Sequence, residues 1–491
     1  MDNYKYITVP KQITLSEYKQ NGYCLAPSKY SRFLPCEKVN YISLDKLCTE
    51  SKNKISFNKK NEYYYSEISD IDVTNGSVNQ SRYYGINIPS ENAKVLKQGD
   101  IVVSTVRTYR GGVGFIYDDV KNHCCSPAIL IIRNVGQLLT KEYLFSVLRT
   151  NLFIEQILGF LNRGMYPRLD KEAMKHILIP IPKSNDILRY ITILTKAYLN
   201  KISIIKERHK NILNFIEQEL LGNQKPNKFK FELPTIKEIE QVGRLDTGVY
   251  TKQFKKIKFL IENYKKGFSN IYDLGFTLNR GQNLQESNIG KSVYSEKYFS
   301  NFYNLALPTH FSDYGTINKV IYLGNPNQLK TLKQGEIIFG AEGTFRSIVI
   351  CSVRDKYITN IHGITLYNKD LTLSIFVKCY MDYLTHKGVI DCVKVGGHGG
   401  SFAQKYWEII PFPKFDKSKQ KEIALLYHNP ESIYPIDTFT LNNFLEQDND
   451  FNKTAGIYEL DKTAKQLKAI LNKAIDDIAN DREVSITFKT D

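Results

Sequence analysis

The chain has 491 residues, too many for one ordinary hydrophobic core, so two or more domains are expected. Hydrophobic residues make up 42%, enough for globular burial, and no apolar run reaches the ~20 residues of a membrane-spanning helix. Lys and Arg outnumber Asp and Glu by 67 to 51, and 33 tyrosines accompany them; this balance suits polyanions and nucleic acid, although a Lys-rich proteome would produce the same bias.

The N-terminus, "MDNYKYITVPKQ", lacks the apolar block of a secretory signal, so a cytoplasmic protein is expected. Its 8 cysteines are scattered without a CxxC and read as reduced, mostly buried thiols. A polar-aromatic stretch, "APSKYSRF" (Ala26 to Phe33), leads into a strand-rich region. There "LKQGDIVVSTVRTYRGG" (Leu96 to Gly112) combines an apolar strand with a glycine-rich loop. "ILIPIPK" (Ile177 to Lys183) then carries prolines at alternate positions, as an edge strand leaving a domain can.

From Ile187 apolar residues recur at steps of three or four, through Ile191, Leu194, Tyr198, Ile202, Ile205, Ile212, Ile216 and Leu220, with His209 in the one missing place. This predicts one long helix over 186–221, about 54 Å at ~1.5 Å per residue, closed by Gly222 and Pro226. The second half repeats the first. "RLDTGVYTKQF" (Arg244 to Phe254) leads in, "LKQGEIIFGAEGTFRSI" (Leu332 to Ile348) returns with Gly335 lying 236 positions after Gly99, and "EIIPFPK" (Glu408 to Lys414) is the exit. A helix begins at "KSKQKEIALLYHN", a polar run from Pro430 to Gly456 interrupts it, and helical spacing resumes at Leu460, Ala464, Leu467, Leu471, Ala474 and Ile478. The expected segments are therefore 1–183, a spacer helix 184–222, a linker 223–243, a second domain 244–415, a short helix with an irregular insertion 416–456, and a spacer helix 457–484. Packed antiparallel along the seam of Ile191, Leu194, Tyr198, Ile205 and Ile212 with Leu460, Leu467, Leu471 and Ile478, the helices would hold the duplicated domains apart. A bare coiled coil is the competing reading.

No catalytic set is visible. The Asp/Asn-Pro-Pro-Tyr/Phe tetrapeptide of amino-methyltransferases, a glycine loop for S-adenosylmethionine and a Walker A lysine are all missing, and the isolated histidines have no zinc spacing. No cofactor and no metal are expected. "GGHGG" (Gly396 to Gly400) resembles a phosphate loop without the lysine that should follow it.

The lead-in, the "L-x-x-G-[DE]-I" strand with its glycine-rich loop, the "I-P-x-P" exit and the long helix occur in that order twice, over residues 20 to 480. The order resembles the specificity (S) subunits of type I restriction–modification systems. The resemblance implies an α+β chain: two strand-rich α/β target recognition domains in pseudo-two-fold arrangement, separated by a pair of long antiparallel coiled-coil helices. Each domain would read half of a split double-stranded DNA target. The helices would set the gap and dock two adenine methyltransferase (M) subunits, with motor/nuclease (R) subunits joining and no membrane involved. The chain departs from the family at "SNDI" after Lys183, where a Glu-Gln pair usually starts the helix, and in the 429–456 insertion.

Readout then falls to the loops. Arg107 and Arg110 around Tyr109, with Thr105 before them, suit guanine O6 and N7, whereas Glu342 in the second loop can accept from cytosine N4, with Thr344 and Arg346 beside it. Lys97 and Lys333 suit phosphate, and Arg163, Tyr166 and Arg168 suit phosphate or base. Arg280, Gln282 and Asn283 in "LNRGQNLQ" could pair with adenine or simply shape a turn, and both readings stay open. His398, next to Ser401, is a DNA donor or a turn histidine. Two other functions compete with the specificity-subunit reading: a recognition subunit of another modification or phage-defence assembly, and an enzyme with an unrecognised active site.

Overall fold

The computed structural model describes residues 4–161, 166–169, 171–352, 355–396 and 400–489. The chain forms two units, one of residues 1–204, 434–453 and 462–491, the other of residues 205–433 and 454–461.

In the first unit, strands Cys48–Glu50, Ile129–Val135, Ile101–Ser104 and Val113–Phe115 lie in that order in one antiparallel sheet. A second sheet orders Ser81–Tyr84, Glu62–Ser66, His123–Cys125 and Lys94–Val95, and its middle pair is parallel. The second unit repeats the first sheet as Thr277–Arg280, Gly363–Tyr367, Ile337–Gly340 and Ser347–Val349. Its other sheet again pairs one strand in parallel, Tyr303–Leu305 with Tyr357–Ile358, and adds an outer strand, Val293–Ser295.

The repeated "LKQG[DE]" stretch is a turn with a cap. Gly99 and Gly335 have φ of 80° and 82°, which glycine adopts at little cost, and the N–H of Asp100 or Glu336 donates to the carbonyl of Lys97 or Lys333 (3.1 Å each). The acidic side chain accepts in return from the lysine N–H, at 2.8 Å for Asp100 and 2.9 Å for Glu336. The strand that follows alternates its side chains between two cores. Ile101 and Val103 join the cluster of Tyr143, Leu144 and Val147, whereas Val102 joins Leu96, Ile129 and Ile131. In the second unit Phe339 holds the corresponding place and packs edge-on against the buried Trp407, ring centroids 5.2 Å apart.

The exits are edge strands, as their prolines require: among the described residues Leu178–Pro180 pairs only with Tyr41–Ser43, and Phe412–Pro413 only with Phe268–Ser269. A buried tyrosine secures each one. Tyr143, on helix Lys141–Leu148, donates to the carbonyl of Pro180, and Tyr380, on helix Leu371–His386, donates to that of Pro411, both at 2.8 Å.

The long helix runs Asn185–Gly222, 38 residues. Ile191, Leu194 and Tyr198 share the first unit's main buried cluster with Leu467, Leu471 and Ile478, while Ile205, Ile212 and Leu460 are buried within the second unit. The seam residues are thus all buried, with roughly 1.5–3 kcal/mol from each large apolar side chain. Two expectations about boundaries are corrected. The C-terminal helix ends at Ala479, short of 484, because Asp481 takes a left-handed φ of 56° and the Arg482 N–H donates back to the carbonyl of Asp477 at 2.8 Å. The insertion is not wholly irregular, since Phe444–Thr454 is helical.

Its helical period is disguised because two inward positions are polar. The buried Lys201 ammonium meets Asp448 at 2.7 Å and the Asn452 side-chain oxygen at 2.6 Å, between the rings of Tyr434 and Phe451. A buried ion pair contributes modestly to stability, but a single partner left behind is costly. Asp448→Ala should destabilise by ~3–5 kcal/mol, and the double change Lys201→Met with Asp448→Leu by clearly less, read from denaturant midpoints.

A second cation is partly withdrawn from water. The Lys468 ammonium donates to the carbonyl of Thr74 at 2.8 Å beside Arg149, which holds the carbonyls of Val113, Val73 and Thr74. Burial, reinforced by the Arg149 charge, lowers Lys468 to about 8. An unfolded lysine titrates near ~10.4, so between the two values the unfolded chain binds the extra proton and stability rises with pH. The stability of the wild type relative to Lys468→Met should therefore increase from pH 8 to pH 10 in parallel denaturation curves.

Candidate nucleic-acid interface

In both units the strand ends in a hairpin loop whose base is built alike. In the first, the Thr105 N–H donates to the carbonyl of Ala128 (3.0 Å) and the Leu169 N–H donates to the carbonyl of Thr105 (2.8 Å). In the second, Ala341 donates to His362 (2.9 Å) and Phe402 donates to Ala341 (2.7 Å). Val106 bridges Arg168, and Glu342 bridges Ser401. A distant segment, 166–169 in one unit and 401–402 in the other, is thereby laid against each loop.

Beyond that base the loops part. The strands close on Val103↔Val113 in the first unit and Phe339↔Ser347 in the second, so the second loop is two residues shorter. Arg346, which matches Arg110 when counted along the sequence, therefore occupies the place of Gly112 when counted by pairing. It is held there by Asp313 at 2.6 Å and by the carbonyl of Phe311 at 2.9 Å.

In the first loop Arg107 has φ 51° in the left-handed region, a conformation that strains an L side chain by roughly 1–2 kcal/mol. Its N–H donates to the carbonyl of Pro167 at 2.8 Å, and its guanidinium lies over the exposed Tyr166 ring, 4.5 Å from the centroid. Thr108 donates to the carbonyl of Ser104 (2.6 Å), and Tyr109 packs against the main cluster, so the loop is braced from within. Arg110 and Arg168 are exposed. The structure therefore brings Arg107, Arg110, Tyr166 and Arg168 together, joining residues about sixty apart in the chain. The Thr105 hydroxyl does not share their exposure, because it donates to the carbonyl of Ala128 at 2.7 Å.

In the second loop Glu342 and Thr344 are exposed, and Glu342 meets His362 Nδ1 at 2.7 Å. No sequence motif points to His362 or Asp313 as a site residue. Asp313 lies in an aromatic loop, Pro308 to Gly315, but nothing local marks it as the partner of an arginine. Each of the "LNRGQNLQ" candidates makes a hydrogen bond to backbone, and Arg280 and Asn283 are exposed. Gln282 uses both ends of its carboxamide on the backbone of Lys330 (2.8 and 3.0 Å), Asn283 accepts from the Gln285 N–H at 3.2 Å, and Arg280 donates to the carbonyl of Ile361 at 3.0 Å. Lys97 and Lys333 belong to the capped turns, at the opposite ends of their strands from the loops, and the Lys333 ammonium lies 4.7 Å from the centre of the Tyr367 ring. Arg163 and His398 lie outside the described residues.

Among the described residues no group of three or more His, Cys, Asp or Glu side chains is placed to hold a metal ion, and no helix is long and apolar enough to cross a membrane.

No protein-family model matches the chain. Over 111 residues it is 23% identical to the type I restriction enzyme HindI specificity subunit of Haemophilus influenzae. That match covers 22% of this chain and 24% of the relative, about a quarter of the relative's length. Solved structures align along most of the chain at low similarity. The type I restriction–modification S subunit of M. genitalium is 12% identical with a TM-score of 0.43, covering 90% of this chain and 96% of that one. The HsdS subunit of Thermoanaerobacter tengcongensis is 16% identical with a TM-score of 0.32, covering 91% and 98%. A chain from a study of type I R-M complex assembly and conformational transition is 16% identical with a TM-score of 0.33, covering 92% and 100%. These superpositions are loose. Over those 111 residues the chain is similar to the specificity subunit of a type I restriction enzyme.

Proposed function

We propose that the chain is a non-catalytic DNA sequence-recognition subunit of a type I restriction–modification enzyme. It binds a bipartite, asymmetric double-stranded target with one half-site per unit. Adenine methyltransferase subunits dock on it and supply the chemistry, and motor/nuclease subunits join them. The observation that carries this reading is the repeated sheet with its capped turn, kept in both units while the loop at the other end of the strand changes in length and charge. A strand order kept for folding and a loop freed from it are what two readers of different sequences need. The loops differ in chemistry as well: Arg107, Arg110 and Arg168 offer donors suited to guanine or phosphate, while Glu342 offers an acceptor suited to cytosine N4. The net charge of +16 favours the approach of a polyanion. The long helix, 38 residues at ~1.5 Å each, exceeds the ~34 Å of one DNA turn, which accords with a gap between half-sites.

Replacing residues 96–183 by the corresponding segment of a related specificity subunit should alter one half of the methylated target and leave the other half intact. Sequencing of modified adenines in cells that express the chimera with its partner subunits reads this directly. A change in both halves would contradict one half-site per unit. Arg346→Ala should lower the melting temperature and weaken binding by a similar factor on matched and unmatched duplexes, because its guanidinium is committed to Asp313 and Phe311. A selective loss at one base pair would return Arg346 to the reading surface.

A further inference from the structure

Arg107 and Gly343 occupy one position of the repeat. Each is the second residue after the one whose carbonyl receives the distant segment, Thr105 or Ala341, and each follows the residue that bridges that segment, Val106 or Glu342. The backbone is left-handed at both, φ 51° at Arg107 and 72° at Gly343. A Cβ added at Gly343 would meet no atom within 4 Å, so glycine answers to the backbone angle there and not to crowding. The second unit thus fills a left-handed position with the residue that tolerates it. The first unit fills the same position with arginine, which does not.

Strain of this kind persists where the surroundings over-determine it, and it gathers at functional sites. The surroundings here are specific. The Arg107 N–H is held by the carbonyl of Pro167, and one residue before that proline Tyr166 offers its ring to the guanidinium at 4.5 Å. Stacking on a ring face orients the guanidinium plane, and the edge of that plane is what matches the O6 and N7 pair of guanine. Tyr166 is 56% exposed and Arg107 half-buried, so the outer face of the ring stands at the surface of the loop and does little for the core.

The geometry points to Arg107 as a specificity-determining residue that reads a guanine in the half-site of the first unit, with Tyr166 as its positioning residue. This rests on the DNA-recognition reading above and deepens it by naming a base and the side chains that read it. The second unit, with Gly343, has no counterpart and reads its half-site by other groups.

The test uses the full-length chain, a pool of randomised duplexes with sequencing of the bound fraction, and melting temperatures for wild type, Arg107→Gly, Tyr166→Phe and Tyr166→Ala. Wild type should select guanine at one position of one half-site. Arg107→Gly should lose about tenfold or more of that selection, the discrimination typical of a bidentate pair, and keep its other base preferences. Its melting temperature should be unchanged or higher, since glycine relieves the backbone. Tyr166→Phe keeps the ring and should keep the preference, whereas Tyr166→Ala should lose part of it with little change in affinity for unmatched duplex. Guanine selection intact in Arg107→Gly, an equal loss on every sequence, or a fall in its melting temperature would each overturn the assignment. Wild-type chain that selects no sequence at all would overturn the DNA-recognition reading itself.

Discussion

At Lys97–Asp100, and again at Lys333–Glu336, a glycine with φ near +80° reverses the chain and an acidic side chain accepts the lysine N–H three residues before it. The lysine N–H would otherwise be a backbone donor near a strand end in search of a partner. The turn also aligns the hairpin. Gly99 donates to the carbonyl of Ile116 and Gly335 to that of Ile350, at 2.8 and 2.9 Å, which sets the register of each following strand pair. With one end of the strand pinned, the other end is fixed in space, and the loop there can change without disturbing the sheet. Asp100 is pinned a second time by the Arg133 guanidinium, through paired contacts at 2.9 and 2.8 Å.

The division of labour between the two ends follows from that constraint. Every residue of Ile101–Ser104 and of Ile337–Gly340 is buried, so neither strand can itself present a variable surface. The loops can, and they do it differently. The first is longer and places an arginine where the backbone disfavours one, over a tyrosine from a distant segment. The second is shorter, relaxes the same position with glycine, and sets a glutamate against a histidine. Duplication followed by divergence at one end of a strand is a simple physical route to two unlike loops on one chain.

The long helices show how burial recruits polar groups. The apolar steps of the first helix lie in the unit cores, but Lys201 is buried with them and needs Asp448 and Asn452 from the insertion. The insertion helix Phe444–Thr454 therefore turns its carboxylate inward, and the apolar period that would have announced it is broken at that point. A polar run in a sequence reads as loop because polar groups usually face water. One that faces a buried cation looks the same on paper.

Much of this protein was legible in its residues taken alone. The duplication, the proline exits at sheet edges, the first long helix to within a residue of its ends and the unlikeness of the two loops all depend on neighbours a few positions apart. Their physics is local: a proline, a helical step. The tertiary structure decided which polar side chains meet a partner inside the fold. Gln282 is occupied by Lys330, Arg346 by Asp313, and Thr105 by Ala128, while Arg107 finds Tyr166. Those outcomes turn on backbone brought from tens of residues away and on a loop two residues shorter, and no local spacing encodes either.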